Sequence, residues 1–197
     1  MEDRVKQVMD KPARQALRED AVEYVDGLVA DVEERWGRIP SEGTFVFSAG
    51  SDTAFPETLD EFHDRFYPHA AGCVTRDGTG KLLAIRSATR ETWESPGGAG
   101  EIMEPPEATA RREVREETGV VPFLDQPLYT LTMELDFGYD ETLPIPVFVF
   151  TGEPDEGTVL TPDIVETPEE VADIDWFEPT ELPSGFRDRD LLQKHLG

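Results

Sequence analysis

The sequence predicts an α/β fold with a mixed sheet, preceded by an N-terminal helical extension. Segments with helical apolar spacing are interspersed with segments that alternate or run apolar as strands do, and no internal repeat is visible. At 197 residues the chain is long enough for one full hydrophobic core and short for two independent domains. We divide it into a helical extension over residues 1–67 and a main domain over residues 68–197.

Residues 1–38 are predicted to be helical. Asp10 can cap a helix and Pro12 can occupy its first turn. The apolar residues that recur at helical spacing are Leu17, Ala21, Tyr24, Val25, Leu28, Val32 and Trp36. We expect this stripe to pack on the main domain, and a homodimer contact is the alternative.

Two further helices and several strands are predicted after residue 38. A short helix is expected over 56–67, after a short apolar run, and a closing helix over 186–196. Strands are expected on both sides of the turn at 77–80, and over 127–139, 145–153 and 171–182, with a long acidic loop over 153–170. His63 and His69 are interpreted as surface or packing residues because no second ligand type lies at metal-binding spacing.

The charge is strongly negative, with 43 acidic residues against 18 basic ones and a formal net charge of −25. Such a surface repels itself in dilute buffer, argues against nucleic-acid binding, and resembles proteins of halophilic archaea. The single cysteine, Cys73, excludes an intramolecular disulfide. No stretch has the length of a membrane span or the pattern of a signal peptide, so we expect a cytoplasmic protein without a membrane partner.

One segment departs from this acidity. Residues 65–115 contain eight basic and seven acidic residues, which leaves about +1 in a very acidic chain. An anionic ligand could be admitted there. Arg86 and Arg90, which lie in this segment, are candidate substrate contacts.

Three glutamates, Glu113, Glu116 and Glu117, follow at i, i+3 and i+4 in a segment with helix signals at both ends, Pro105-Pro106 and Gly119. Like charges at that spacing destabilise a helix by a few tenths of a kcal/mol per pair. A cation bound to the cluster would offset this repulsion. Hard divalent cations such as Mg²⁺ prefer carboxylate oxygens and bridge to phosphates.

The order of these residues is more specific than their charge. Gly98, five residues, Glu104, seven residues and then the run from Arg112 to Val120 match every fixed position of the Nudix box, G-x5-E-x7-R-E-U-x-E-E-x-G-U. The chain therefore resembles a Nudix hydrolase over roughly residues 68–182. The resemblance implies an α/β/α sandwich that cleaves nucleoside diphosphates linked to another moiety with Mg²⁺ or Mn²⁺.

The resemblance also implies roles for individual residues. Glu113, Glu116 and Glu117 would bind the metal together with the carbonyl of Gly97, and Arg112 would orient the cluster. Gly98, Glu101 and Glu104 would contact substrate, support the loop or bind an outer metal through water. The general base stays open between a box glutamate and a carboxylate of the acidic loop; the loop candidates are Asp155, Asp163, Glu166, Glu169 and Glu170.

The substrate is not fixed by the box. ADP-ribose, dinucleoside polyphosphates and nucleoside triphosphates are the candidate classes, and Tyr139 lies near a tyrosine of dinucleoside-polyphosphate hydrolases, although packing is the more frequent role of one aromatic residue. The alternative function is a non-catalytic Nudix-like module that binds a nucleotide to regulate a partner. Such modules usually lose box glutamates, and this chain keeps them all.

Overall fold

A computed structural model of the chain describes residues 9–50, 52–155 and 170–196. Its helices are α1 (Lys11–Trp36), α2 (Leu59–Arg65), α3 (Pro106–Thr118) and α4 (Arg189–Leu196). Its strands are β1 (Ser41–Ser48), β2 (Ala70–Thr75), β3 (Leu82–Ser87), β4 (Trp93–Glu94), β5 (Gly97–Ala99), β6 (Pro122–Asp136), β7 (Thr142–Pro154) and β8 (Val171–Phe177). The predicted short helix, the long strands and the closing helix are therefore confirmed, with shifted ends.

The strands form two sheets. The larger has the order β1-β6-β7-β2-β5 and is mixed, because β1 and β6, like β7 and β2, run parallel while the other pairs are antiparallel. The smaller is antiparallel, with the order β4-β3-β8. The two strands around the turn at 77–80 exist as predicted but lie in different sheets, linked by an isolated bridge between Arg76 and Leu82.

Helices cover both faces of the larger sheet. On β2, Ala71 and Cys73 belong to one core cluster, which includes residues of α3 and the end of α1. Val74, which points to the opposite face because side chains alternate along a strand, belongs to another cluster with Leu192 of α4. The predicted α/β/α arrangement is confirmed.

The N-terminal helix begins later than the sequence predicted. Asp10 caps it by accepting a hydrogen bond of 3.0 Å from the N–H of Ala13, and Gly37 follows its end. The prediction of helix from residue 1 is wrong for residues 9 and 10, and residues 1–8 lie outside the described ranges. Arg18 ties the helix to the larger sheet by binding Glu134 at 2.7 Å, so the helix packs on the main domain as expected.

The extension is not only helical. Strand β1 lies before residue 68, yet it pairs with β6 and forms the edge of the larger sheet. The apolar run before residue 50 does not show which sheet it joins, because its pairing partner, β6, lies almost a hundred residues further along the chain. The division of the chain at residue 68 stays a prediction. No helix among the described residues is long and apolar enough to cross a bilayer.

Candidate active site

The glutamate cluster lies on α3, and its position follows from the apolar residues of that helix. Pro106 occupies the first turn, and Gly119 ends the helix in the left-handed conformation with φ 74°. Ala110 and Val114 are fully buried against the larger sheet. Because residues three and four apart share a helix face, this seat directs Glu113 and Glu117 toward strand β5.

Arg112 gathers the box carboxylates around one guanidinium. Its Nη1 donates to Glu113 at 2.7 Å and to Glu116 at 3.1 Å, while Nε and Nη2 donate to Glu104 at 3.0 and 2.9 Å. Nη2 also donates to the carbonyl oxygen of Ala99 at 2.8 Å. The orienting role that the resemblance implied for Arg112 agrees with these contacts.

A buried chain of hydrogen bonds extends this arrangement behind the helix. The hydroxyl of Thr109 donates to Glu104 at 2.7 Å and lies 2.8 Å from Nε2 of His69. A hydroxyl has one proton, so Nε2 of His69 must be the donor to Thr109. Burial lowers the pKa of His69 to about 4, which keeps the ring neutral near pH 7. His69 is thus a packing residue, as predicted, and it also orders Glu104.

The turn before β5 contacts the glutamates through its backbone. The N–H of Gly97 donates to Oε2 of Glu117 at 2.8 Å. A Cβ atom at Gly98 would lie 2.4 Å from Oε2 of Glu113, so only glycine permits this approach without displacing the carboxylate. The predicted site residues Gly97, Gly98, Glu113 and Glu117 are therefore brought together.

The cluster is electrostatically unbalanced. Burial, together with the charges of Glu113, Glu94 and Glu170, raises the pKa of Glu117 to about 8 although Gly97 donates to it. Burial also raises the pKa of Glu113, which the hydrogen bond from Arg112 opposes. Glu104 differs, because its hydrogen bond from Arg112 lowers its pKa to about 2 despite partial burial. Within the cluster, burial thus opposes ionisation of Glu113 and Glu117, and most strongly that of Glu117.

On the other side of the same turn lies a cleft of about 550 Å³. Its floor is formed by side chains of β1, β6 and β7, and its rim by residues 94–99. Arg90, Glu94 and Arg187 line one wall, where Glu94 accepts hydrogen bonds from both arginines. This cleft is the cavity beside the glutamate cluster that has room for a ligand.

The remaining predicted residues lie around these two features. Arg90 lines the cleft, whereas Arg86 is outside its lining and lies 3.9 Å from Asp173. Glu101 is exposed and donates its N–H to Glu104 at 3.1 Å. Tyr139 packs on Phe55 and receives the guanidinium of Arg14 over its ring, which agrees with the packing interpretation.

Three residues of the site were not found from the sequence. Thr109, Glu94 and Arg187 carry no motif, and each gains its role from a contact with a distant segment. The nearest signal was the locally neutral charge of residues 65–115, which includes Glu94 and Arg90 but not Arg187.

Comparisons with known proteins agree with this picture. A family model described as NUDIX domain matches residues 66–195. A MutT-like protein from Streptomyces ambofaciens is 38% identical over 113 residues, which cover 57% of this chain and 64% of that relative's length. The chain thus spans less than two thirds of that curated relative.

Two solved structures are similar in fold. A NUDIX family hydrolase from Clostridium perfringens has a TM-score of 0.50 at 16% identity, covering 66% of this chain and 94% of that one. A MutT NUDIX hydrolase from Burkholderia pseudomallei has a TM-score of 0.48 at 23% identity, covering 66% and 98%. The likeness to the Clostridium structure supports the fold.

Proposed function

The chain belongs to the Nudix family, and we propose that it is a divalent-metal-dependent hydrolase that cleaves the phosphoanhydride of a nucleoside diphosphate linked to another moiety. One observation carries the proposal. The turn at residues 96–98 contacts Glu113 and Glu117 on one side and lines the cleft on the other. A diphosphate at this turn would have carboxylates beside it for a cation and a cavity beside it for the rest of the molecule.

The donor set fits Mg²⁺ or Mn²⁺. Glu117 is 6% exposed, and among the described residues it has no ion-pair partner, so a bound cation would favour its ionised form. Carboxylate oxygens without histidine or cysteine ligands are the choice of hard cations. Within the described ranges, no three acidic, histidine or cysteine side chains are already arranged as a cation site. We therefore expect Glu113 and Glu116 to exchange contacts with Arg112 for contacts with the metal.

The chain's own residues have separable roles in the proposed reaction. Glu113, Glu116 and Glu117, with the carbonyl of Gly97 as a further candidate, would hold the cation. Arg112, fixed by Glu104, would orient Glu113 and Glu116 until they bind the metal. When bound, the metal would supply polarisation of the phosphoanhydride and stabilise the charge of the leaving phosphate.

The general base is proposed to be a carboxylate near the cluster that can reach the attacking water. Among the described candidates, Glu170 has the stronger support, because its charge acts on both Glu113 and Glu117. Asp155 follows β7, and its N–H donates to the carbonyl of Val121. Asp163, Glu166 and Glu169 lie outside the described residues and stay candidates.

The substrate is proposed to be a small nucleotide. The candidate classes are ADP-ribose, dinucleoside polyphosphates and nucleoside triphosphates. The deciding experiment is phosphate-coupled turnover against these compounds, NADH, coenzyme A and nucleotide sugars, in high salt with Mg²⁺ or Mn²⁺. We expect one compound to be turned over well, and EDTA to abolish that activity until excess metal restores it.

The alternative is a regulatory module that binds a nucleotide without cleaving it. It would leave every compound intact while calorimetry detected tight nucleotide binding. Activity that survives EDTA would instead contradict the role of the glutamates. A cytoplasmic location and a homodimer stay predictions beside this proposal.

A further inference from the structure

We propose that Arg90 and Arg187, held together by Glu94, form an anion-binding pair that takes a phosphate group of the substrate on the cleft side of the turn at 96–98. This inference rests on the proposed function and deepens it. It assigns a substrate contact to Arg187 and a positioning role to Glu94.

The pair is built on a buried carboxylate. Glu94 is 5% exposed, and its two oxygens accept from different guanidinium groups. Oε1 accepts from Nη2 of Arg90, and Oε2 accepts from Nη1 of Arg187 at 3.0 Å. The backbone N–H of Arg187 also donates to the carbonyl of Trp93 at 2.8 Å, which fixes the segment before α4 beside β4.

The arginines keep donors for a ligand. A guanidinium has five N–H donors, and the hydrogen bond to Glu94 uses one from each arginine. Both side chains are about half exposed, at 56% and 47%, and both line the cleft. Their charges act on the phenol of Tyr67, another residue of the cleft lining.

The other carboxylates of the cleft, Glu42 and Asp188, are themselves paired with basic side chains. Glu42 is occupied by Lys194 and by His195, the latter at 2.8 Å. Asp188 also lines the cleft and forms a longer ion pair with Arg187, with 4.0 Å between Nε and the carboxylate, so it offsets part of the charge of that arginine. Two guanidinium groups and the two carboxylates Glu94 and Asp188 therefore leave this wall close to neutral in a chain of net charge −25, with N–H donors free to bind an anion.

The position of the pair indicates which phosphate it takes. Glu94 lies three residues before Gly97 and is close enough for its charge to act on Glu117. The acidic cluster and the arginine pair thus lie on opposite sides of one short turn. A guanidinium group binds phosphate directly, often through two parallel N–H···O hydrogen bonds. The phosphate that stays on the nucleoside in the cleft can therefore bind here without a metal.

The test measures the contribution of one phosphate to binding. The 5′-monophosphates of the four common nucleosides and the nucleosides themselves are titrated by calorimetry, in EDTA and at one salt concentration. We expect at least one monophosphate to bind the wild type better than its nucleoside, and Arg187→Gln to reduce that preference about tenfold or more. Arg90→Gln should reduce it similarly, and Arg187→Lys should retain part of it.

A matched control is available on α2. Arg65 also pairs with a glutamate four residues away, Glu61, at 3.0 Å, but it lies outside the cleft lining. Arg65→Gln should keep the full phosphate preference. Circular dichroism establishes that each variant is folded.

In Arg187→Gln, the phosphate preference can fall because the arginine no longer binds the phosphate or because Glu94, with one partner fewer, repels it. The double variant Glu94→Gln/Arg187→Gln separates these two causes. If it regains the wild-type phosphate preference, Glu94 caused the loss and the proposal is overturned. A wild type without any phosphate preference, or a folded Arg187→Gln variant that keeps it, would overturn it as well. If Arg187→Gln loses the phosphate preference but the wild type hydrolyses none of the tested compounds, the anion pair is supported and the hydrolase proposal is refuted.

Discussion

The backbone N–H of Gly97 donates a hydrogen bond of 2.8 Å to Oε2 of Glu117, which joins the end of α3 to the turn before β5. This contact depends on a close approach of two backbones. A Cβ atom at Gly97 would lie 2.5 Å from Cα of Gly72 on the neighbouring strand β2. The pair of glycines thus lets the turn lie between the glutamates and the cleft.

Replacing Glu117 by Gln tests the proposed metal site. The amide keeps an acceptor for Gly97 but lacks the charge, so turnover should fall about a hundredfold or more while the fold is retained. Turnover and circular dichroism measure the two effects, and Glu19→Gln on the exposed side of α1 is the matched control. Near-normal activity in a folded Glu117→Gln protein would contradict the assignment of Glu117 as a metal ligand.

Replacing Gly98 by Ala tests the contact between the turn and Glu113. The new methyl group would lie 2.4 Å from Oε2 of that glutamate, a flexible side chain that can move aside. We therefore expect activity to drop about tenfold or more, with little change in the melting temperature. Gly78→Ala is the control, because a Cβ atom there meets nothing within 4 Å. Equal activities of the two variants would argue against a role for Glu113 at this position.

The lowered pKa of His69 predicts that the free energy of unfolding depends on pH. Its folded pKa is about 4, below the ordinary value of about 6.5 for the unfolded chain. Between these values the unfolded state binds more protons, so the contribution is complete above about pH 6.5 and is lost as the pH falls toward about 4, by up to about 3 kcal/mol.

The measurement is urea unfolding of the wild type and His69→Gln at several pH values. As the pH falls through that window, the free energy of unfolding of the wild type should decrease relative to that of the variant. Parallel pH profiles would show that His69 is not kept neutral by its buried site.

The net charge of −25 predicts a salt requirement. Self-repulsion is screened by salt, so the folded signal in circular dichroism should be lost below a few tenths molar salt. A protein that is fully folded and active in dilute buffer would contradict the halophilic interpretation.

Replacing Glu170 by Gln tests the general base. Since its charge reaches Glu113 and Glu117, we expect a loss of turnover of about a hundredfold, without loss of substrate affinity. Asp155→Asn is the comparison. A larger loss there, or none in either variant, would move the assignment to another carboxylate.

The sequence by itself determined the fold class, most of the elements and the box on α3. These depend on local periodicity and on fixed spacing within one helix, both of which can be read from consecutive residues. The seat of α3 on Ala110 and Val114 followed from the same periodicity.

Only the tertiary structure decided what surrounds the box. The pairing of β1 with β6, the bond from His69 through Thr109 to Glu104, and the sharing of Glu94 by Arg90 and Arg187 each join segments far apart in the chain. Local propensity cannot specify such contacts. They arise from the packing of whole elements, which sets the distances between side chains that the sequence leaves unrelated.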